Sequence, residues 1–308
     1  METFILSESV DVFSFLSYLN DRMKLDNENR QKLVRLRKGD EGEKAFLKMF
    51  ESLYEGEGIL FYNFRASYQD SPIQIDFLFI SAQSIYMYEV KNYQGSYVQS
   101  GDKFRSLSGS QFLNPSVQLT RTHNHFSHML KELSCTTPIQ PFVVFVNPEF
   151  TLYEAPVEDP FLFPGQLSSH FKLLNQRSDT IRKSQQRLVE KLLEESKKEA
   201  TFERKLPTYH FEQLKKGLIC YNCGSFALRN NSKNSLCTSC GRTCSLNDLI
   251  LAHITEFQTL FPHEKLTRNS LYEWCGMEVG ERRLWKLLKS HFKLEKSGKT
   301  SYYLRKDD

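Results

Sequence analysis

Two short apolar runs lie next to each other in the first third of the chain. Residues 73–80 and residues 85–91 are rich in Ile, Phe, Tyr and Val, the composition typical of β-strands. Residues 81–84 between them are polar or small, and they are few enough for a tight connection. The pattern therefore predicts an antiparallel hairpin, with Ile80 paired to Ile85 across the turn.

Three charged side chains share one face of this predicted hairpin. Counting back from the turn pairs Asp76 with Glu89, and alternation along the strand puts Lys91 on the same side. Like charges opposed across two strands repel, so a pair of half-buried carboxylates needs a compensating partner. Carboxylate oxygens suit a hard cation such as Mg²⁺ or Mn²⁺. With an ammonium beside them to orient or deprotonate water, they predict a metal-dependent phosphodiesterase.

The surrounding pattern alternates helices and strands. An apolar stripe at helical spacing predicts a helix over residues 40–54, and a second helix is expected to begin with Asn114 as its N-cap and Pro115 at its first position. Further strands are predicted near 59–66, 103–107 and 142–146. Three strands, a helix and a further strand predict an α/β fold, a mixed β-sheet flanked by helices.

The C-terminal part has a different organisation. A charged helix over 179–200 and a linker over 201–217 are expected before it. Three helical patterns follow, over 246–260, 270–274 and 280–289, and then a hairpin over 292–304. This order is similar to a winged helix, in which cationic side chains on the third helix and the wing would meet phosphates. The candidates are Arg282, Arg283, Lys286, Lys289, Lys296 and Lys299. A solvated basic face on a small packing domain, or a wing that binds protein, is the alternative.

Four of the seven cysteines have the spacing of a metal site. Cys220 and Cys223 form one CxxC pair, Cys237 and Cys240 form another, and a glycine follows each pair. This arrangement predicts a closed four-thiolate Zn²⁺ site in a zinc ribbon, where the metal stabilises a segment too small to fold alone. Accidental pairs or a redox dithiol are the less favoured interpretation.

Composition limits the remaining classes. The chain has 308 residues, of which 25% are charged, and a net charge of +4, so any nucleic-acid surface must be local. The N-terminus lacks the basic segment of a signal peptide, and the longest apolar runs are too short to cross a bilayer. A soluble cytoplasmic protein is expected, without membrane contact; homodimer formation stays open.

The motifs together resemble a known family. The segments 39–43, 74–76, 89–95 and 114–118 are similar to the nuclease-related (NERD) domain of the PD-(D/E)xK nuclease superfamily, although Ile75 stands where that name has proline. The resemblance extends to about residue 146 and implies a restriction-endonuclease-like core. It also implies active-site roles for Glu43 and Gln118, which on their own would be taken for solvated helix residues. The cation would be held by Asp76, Glu89 and the Val90 carbonyl.

These inferences give a domain order and a function. The expected segments are N-terminal helices over 1–38, the nuclease-like core over 39–150, its helical extension over 151–200, the linker, the zinc ribbon over 218–245 and the winged helix over 246–308. The expected activity is Mg²⁺- or Mn²⁺-dependent hydrolysis of DNA, with Asp76, Glu89, Lys91, Glu43 and Gln118 in the site. A non-catalytic nucleic-acid-binding or regulatory protein, and an RNA-directed nuclease, are the alternatives.

Overall fold

The computed structural model of the chain describes residues 1–6, 12–197, 206–297 and 300–306. Within these ranges the helices are α1 (Val12–Arg22), α2 (Asn27–Leu53), α3 (Pro115–Glu132), α4 (Leu167–Gln176), α5 (Lys183–Lys197), α6 (Leu246–Leu260), α7 (Arg268–Trp274) and α8 (Glu281–His291). The strands are β1 (Glu2–Ile5), β2 (Ile59–Tyr68), β3 (Ser71–Ile80), β4 (Ile85–Lys91), β5 (Gly95–Ser100), β6 (Lys103–Ser106), β7 (Gln111–Leu113), β8 (Ile139–Phe145), β9 (Phe150–Tyr153), β10 (Phe161–Leu162), β11 (Leu228–Asn230), β12 (Asn234–Cys237), β13 (Thr243–Ser245), β14 (Phe292–Ser297) and β15 (Thr300–Arg305).

The chain folds as two compact units that do not follow the linear domain order. The first contains Met1–Glu8 and Arg35–Lys205, and the second contains Ser9–Val34 and Leu206–Asp308. The expected helical segment over 1–38 is therefore divided. Its first residues form β1, a strand that the helical interpretation missed, and α1 lies in the second unit.

A mixed six-stranded sheet is the centre of the first unit. Its strand order is β1-β2-β3-β4-β8-β10. The three central strands β2, β3 and β4 are antiparallel, whereas β1, β8 and β10 run parallel to their neighbours. The predicted α/β class with a mixed sheet is confirmed.

Helices cover both faces of this sheet. On one face α3 and α5 bury apolar side chains such as Phe126 and Leu192 against the strands. On the other face α2 and α4 contribute an aromatic layer that includes Phe46, Phe50 and Phe171. A smaller sheet has the order β7-β6-β5-β9, and its Phe104 and Phe150 share a core cluster with Val143 and Phe145 of β8 in the larger sheet. Burial on both faces removes these side chains from water and fixes the strand register.

The second unit combines a small three-stranded sheet, β11-β12-β13, with α6, α7, α8 and the β14–β15 hairpin. Helix α1 is attached to it by a buried ion pair between Arg22 and Glu256, with nitrogen–oxygen distances of 2.8 and 2.7 Å. The guanidinium also lies 3.8 Å from the centre of the Trp274 ring. Such a pair is costly to break because it leaves a buried charge alone. Helix α1 also buries Phe15, Leu16 and Leu19.

None of the helices in the described ranges is both long enough and apolar enough to span a bilayer.

Candidate active site

The β3–β4 hairpin has the predicted register at its turn. Ile80 pairs with Ile85, and the pairing continues to Phe77 and Tyr88. Leu78 and Met87 lie in the core cluster that contacts α3. By alternation, Asp76, Glu89 and Lys91 follow on that same side of the sheet.

The backbone ladder ends one residue before Asp76 would pair with Glu89. The N–H of Val90 instead donates to Oδ2 of Asp76 at 2.8 Å, so a carboxylate replaces the next backbone acceptor. The two strands therefore part at this point. In a strand the N–H and C=O of one residue face the same neighbour, so the Val90 carbonyl is directed towards the Asp76 side.

The ladder on the other side of Asp76 is interrupted as well. Strand β2 pairs with β3 at Tyr62–Phe77 and again at Phe64–Ile75, and Asn63 opposite Asp76 is left unpaired between them. Asn63 has a φ of 59°, in the left-handed region that asparagine tolerates better than most residues. Asp76 thus occupies a gap in the sheet, although it is only 9% exposed.

Glu89 accepts two hydrogen bonds on one oxygen. The Lys91 ammonium lies 2.5 Å from Oε1, and the Gln118 amide donates to the same atom at 2.9 Å. Gln118 is in the first turns of α3, which Asn114 caps by accepting from the Ser116 N–H at 3.0 Å. The family resemblance, and not periodicity, was the signal that singled out Gln118, and the structure brings it to Glu89.

Lys91 is held as a cation. Burial alone would lower its pKa, but attraction to the carboxylates of Glu89 and Asp76 outweighs burial and raises the pKa above its usual value. A charged ammonium cannot take a proton from water.

Glu43 reaches the site from α2. It lies in the second half of a helix that begins at Asn27, so the expected helix start near residue 40 is wrong. Burial raises the pKa of Glu43 to about 7, with further contributions from Asp40 and Glu89, while a hydrogen bond from the Tyr62 hydroxyl opposes the shift. The contact of Tyr62 with Glu43 could not be predicted from the sequence, because a tyrosine in a strand belongs to no recognisable motif.

Two contacts place Glu43 relative to β4. The Asn92 amide donates to the Lys38 carbonyl of α2 at 2.9 Å, directly after the Lys91 position. A Cβ on Gly42 would lie 2.7 Å from the Asn92 Cβ, so only glycine allows the helix to approach this closely. In the sequence, Asn92 carries no signal apart from its place in the segment 89–95 that resembles the family.

The donor set fits a hard divalent cation. Burial, together with the nearby Glu89 and Glu43 carboxylates, raises the pKa of Asp76 well above its usual value, as expected when negative groups crowd a gap with little water. In the described ranges, Glu43, Asp76 and Glu89 do not all bring oxygens within 4.8 Å of one another. Proteins usually hold Mg²⁺ through one or two carboxylates, and the ion keeps several of its waters; Asp76 and Glu89 could supply those carboxylates.

The four predicted zinc ligands converge. The sulfurs of Cys220, Cys223, Cys237 and Cys240 all lie within 4.8 Å of one another, and two of the pairs are 3.7 and 3.6 Å apart. Sulfurs bound to one tetrahedral zinc at about 2.3 Å would be about 3.8 Å apart. Gly224 and Gly241 have φ values of 68° and 73°, the left-handed turns that close the two knuckles. The cluster fits a zinc ribbon.

The predicted cationic residues are distributed over several surfaces. Arg282, Lys286 and Lys289 are exposed on α8, and Lys296 is exposed on β14. Arg283 is half-buried, and its guanidinium already makes two hydrogen bonds: it donates to the Asn247 side chain at 2.8 Å and to the Ser232 carbonyl. Lys299 lies outside the described residues.

Residues 38–146 match the family model of the nuclease-related domain, NERD. The family resemblance is confirmed over this segment. No curated protein and no solved structure shows significant similarity to the chain. The matched segment contains Glu43, Asp76, Glu89, Lys91 and Gln118, so the whole candidate site lies inside the segment that matches the family model.

Proposed function

We propose that the chain is a metal-dependent nuclease that hydrolyses phosphodiester bonds in DNA. The observation that carries the proposal is the contact of Lys91 and Gln118 with one oxygen of Glu89, beside a buried Asp76 that occupies a gap in the sheet. A purely structural site gains nothing from crowded carboxylates, because their repulsion and burial cost stability.

Each side chain would have a separate role. Asp76, Glu89 and the Val90 carbonyl would hold Mg²⁺ or Mn²⁺, which when bound supplies Lewis acidity and offsets the charge of the scissile phosphate. The Lys91 ammonium would orient the attacking water and stabilise negative charge that develops on phosphate oxygens. Gln118 would fix the rotamer of Glu89. Glu43, whose pKa of about 7 lets it accept a proton near neutral pH, would assist proton transfer.

The second unit would deliver the substrate. Its order of three helices and a two-stranded hairpin is compatible with a winged helix, and exposed cations on α8 suit a polyanion such as DNA. The four-thiolate zinc site would be structural, since a closed site leaves no open position for substrate.

A cleavage panel tests the proposal. Purified protein is incubated with labelled duplex DNA, single-stranded DNA and RNA in metal-depleted buffer, with Mg²⁺ or Mn²⁺ added back. We expect DNA cleavage only after metal is added, loss of cleavage in Lys91→Ala, and normal cleavage in Lys103→Ala, a matched exposed lysine on β6. Metal-independent cleavage would refute the mechanism, preferred cutting of RNA would reassign the substrate, and no cleavage of any substrate would favour a binding protein.

A further inference from the structure

A basic cleft lies inside the second unit, between the zinc ribbon and α8. It has a volume of about 830 Å³ and is lined by ten residues from three elements: the turn between β11 and β12, the start of α6, and one side of α8. Four of the lining residues are cationic, namely Lys233, Arg282, Arg283 and Lys286, and none is acidic. The charge of the chain is close to balanced overall, so this is a local concentration of one sign.

The ribbon side of the cleft is held rigidly. The Asn231 side chain accepts from the N–H groups of Lys233 and Asn234 at 2.8 and 2.7 Å, which fixes the β11–β12 turn. The Lys233 carbonyl then accepts from the N–H of Leu246, the first residue of α6, at 2.9 Å. Lys233 is therefore presented from a defined backbone position, with its side chain exposed.

Arg283 joins the two sides. Its guanidinium donates to the side chain of Asn247 on α6 and to the carbonyl of Ser232 in the ribbon turn. These bonds occupy Arg283, whereas Lys233, Arg282 and Lys286 have no ion-pair or hydrogen-bond partner for their charged groups in the described part of the chain. The cleft thus combines a fixed frame with three available cations.

We propose that this cleft binds the phosphodiester backbone of a nucleic acid, with Lys233 of the zinc ribbon and Arg282 and Lys286 of α8 as the phosphate contacts. The inference extends the proposed function and rests on it for the identity of the polymer. It makes the ribbon a direct part of the binding surface and not only a support for it. Cations around a recessed surface with no carboxylate favour phosphate over neutral or cationic ligands.

The test measures binding without cleavage. Full-length protein carrying Asp76→Asn is titrated into a fluorescein-labelled DNA duplex and into the matching single strand. We expect this substitution to suppress cutting by about 100-fold or more, without a chelator that would also remove zinc, and gel electrophoresis of the probe after the titration checks that it is intact. Anisotropy is recorded at several salt concentrations for Lys233→Ala, Lys286→Ala and Lys286→Arg. Lys265→Ala is the control, because Lys265 is an exposed lysine of the same unit outside the cleft.

Lys233→Ala and Lys286→Ala should each weaken binding by about tenfold, as expected for a charge-assisted hydrogen bond. Each substitution should also reduce the magnitude of the slope of log affinity against log salt by about 1, the value expected for the loss of one phosphate contact. Lys286→Arg and Lys265→Ala should bind nearly as the parent does. Equal losses in all three alanine variants, no loss in Lys233→Ala, or equal displacement of the probe by polyglutamate would overturn the proposal. Because no cleavage is measured, a failure here is separate from a failure of the nuclease proposal.

Discussion

At the scale of single residues, the site depends on side chains that replace ordinary backbone pairing. Asp76 accepts the N–H of Val90 where a ladder bond would otherwise form, and Asn63 opposite it adopts a left-handed conformation. Residues held in rare conformations are concentrated at functional sites because the surrounding fold has to stabilise them. The interruption opens a place for a ligand inside a sheet that is otherwise closed by packing.

Gln118 acts through Glu89, as a positioning residue. Gln118→Ala removes the 2.9 Å hydrogen bond to Oε1 of Glu89. Loss of such an outer partner costs about 10–100-fold in metal affinity or activity, so the Mg²⁺ concentration for half-maximal cleavage should rise by at least about tenfold. Because Gln118 is largely exposed, thermal stability should change little. Asn124→Ala, an exposed position on the same helix, is the control, and an unchanged Mg²⁺ requirement in Gln118→Ala would contradict this role.

Glu43 makes the stability of the metal-free protein depend on pH. Its pKa rises from 4.5 to about 7 on folding, so between these values the folded state binds more protons than the unfolded state. Stability contributed by this group is therefore lost as pH rises from about 4.5 through about 7. In metal-free buffer, Glu43→Gln should raise the melting temperature at pH 8 by a few degrees and change it little at pH 5.

The exposed neighbour Glu41 provides the comparison for that measurement. Glu41→Gln should leave the pH dependence of the melting temperature unchanged. Added Mg²⁺ should stabilise the parent protein more at pH 8 than at pH 5, because the ligands must lose protons to bind the ion. An identical melting curve for Glu43→Gln and the parent across this range would show that Glu43 is not held in a buried environment.

At the scale of elements, the approach of α2 to the end of β4 determines where Glu43 lies. Gly42 is the contact point, because a Cβ there would meet Asn92 and Val146, whereas nothing lies within 4 Å of a Cβ on Gly39 in the same helix. The same substitution at these two positions should therefore have opposite effects.

Gly42→Ala should destabilise the protein by about 1–3 kcal/mol through overpacking and should reduce cleavage, since α2 must shift away from β4. Gly39→Ala should be neutral or stabilising by up to about 1 kcal/mol, because alanine favours the helix. Urea unfolding of both variants measures the difference. A Gly42→Ala protein as stable as Gly39→Ala would mean that α2 does not approach β4 as described.

Local elements could be predicted from the sequence, and long-range pairings could not. The β3–β4 register follows from a short turn and two alternating runs, so four residue pairs were predicted correctly. β1 was missed because its partner β2 is more than fifty residues away, and a four-residue strand has no periodicity of its own. The place of α1 depends on Arg22 meeting Glu256, a contact between residues 234 positions apart that no local pattern records.

The residues of the candidate site were also only partly predictable from local sequence patterns. Asp76, Glu89 and Lys91 follow from strand alternation, whereas Glu43 and Gln118 came only from the family resemblance. The loss of pairing at Asp76 was not predictable, because it results from competition between a carboxylate and a backbone carbonyl for the Val90 N–H.

Across the whole molecule, the first unit contains the segment that matches the NERD family model, and the second unit contains a cluster of four cysteines. The ribbon has little core of its own, so metal binding should provide much of its folding free energy. We expect one zinc ion per chain by elemental analysis. Cys237→Ser should lose the metal and melt the second unit at lower temperature. Cys244→Ser, which alters a cysteine outside the cluster, should retain the zinc, and retention by Cys237→Ser would contradict a four-thiolate site.

The proposed nuclease activity depends on the residues around the gap at Asp76 in the first sheet. The most direct measurement is the initial rate of duplex DNA cleavage in saturating Mg²⁺ for Asp76→Asn beside Asp70→Asn. Asp76→Asn removes a negative charge from the gap and keeps a side-chain oxygen that can accept from the Val90 N–H. Asp70→Asn removes a negative charge from an exposed turn residue, whose φ of 59° asparagine tolerates. We expect the cleavage rate of Asp76→Asn to fall by about 100-fold or more, since losing even an outer-shell partner of a metal site lowers activity by about 10–100-fold. Asp70→Asn should cleave at the parent rate. Equal rates for the two variants would contradict the proposal.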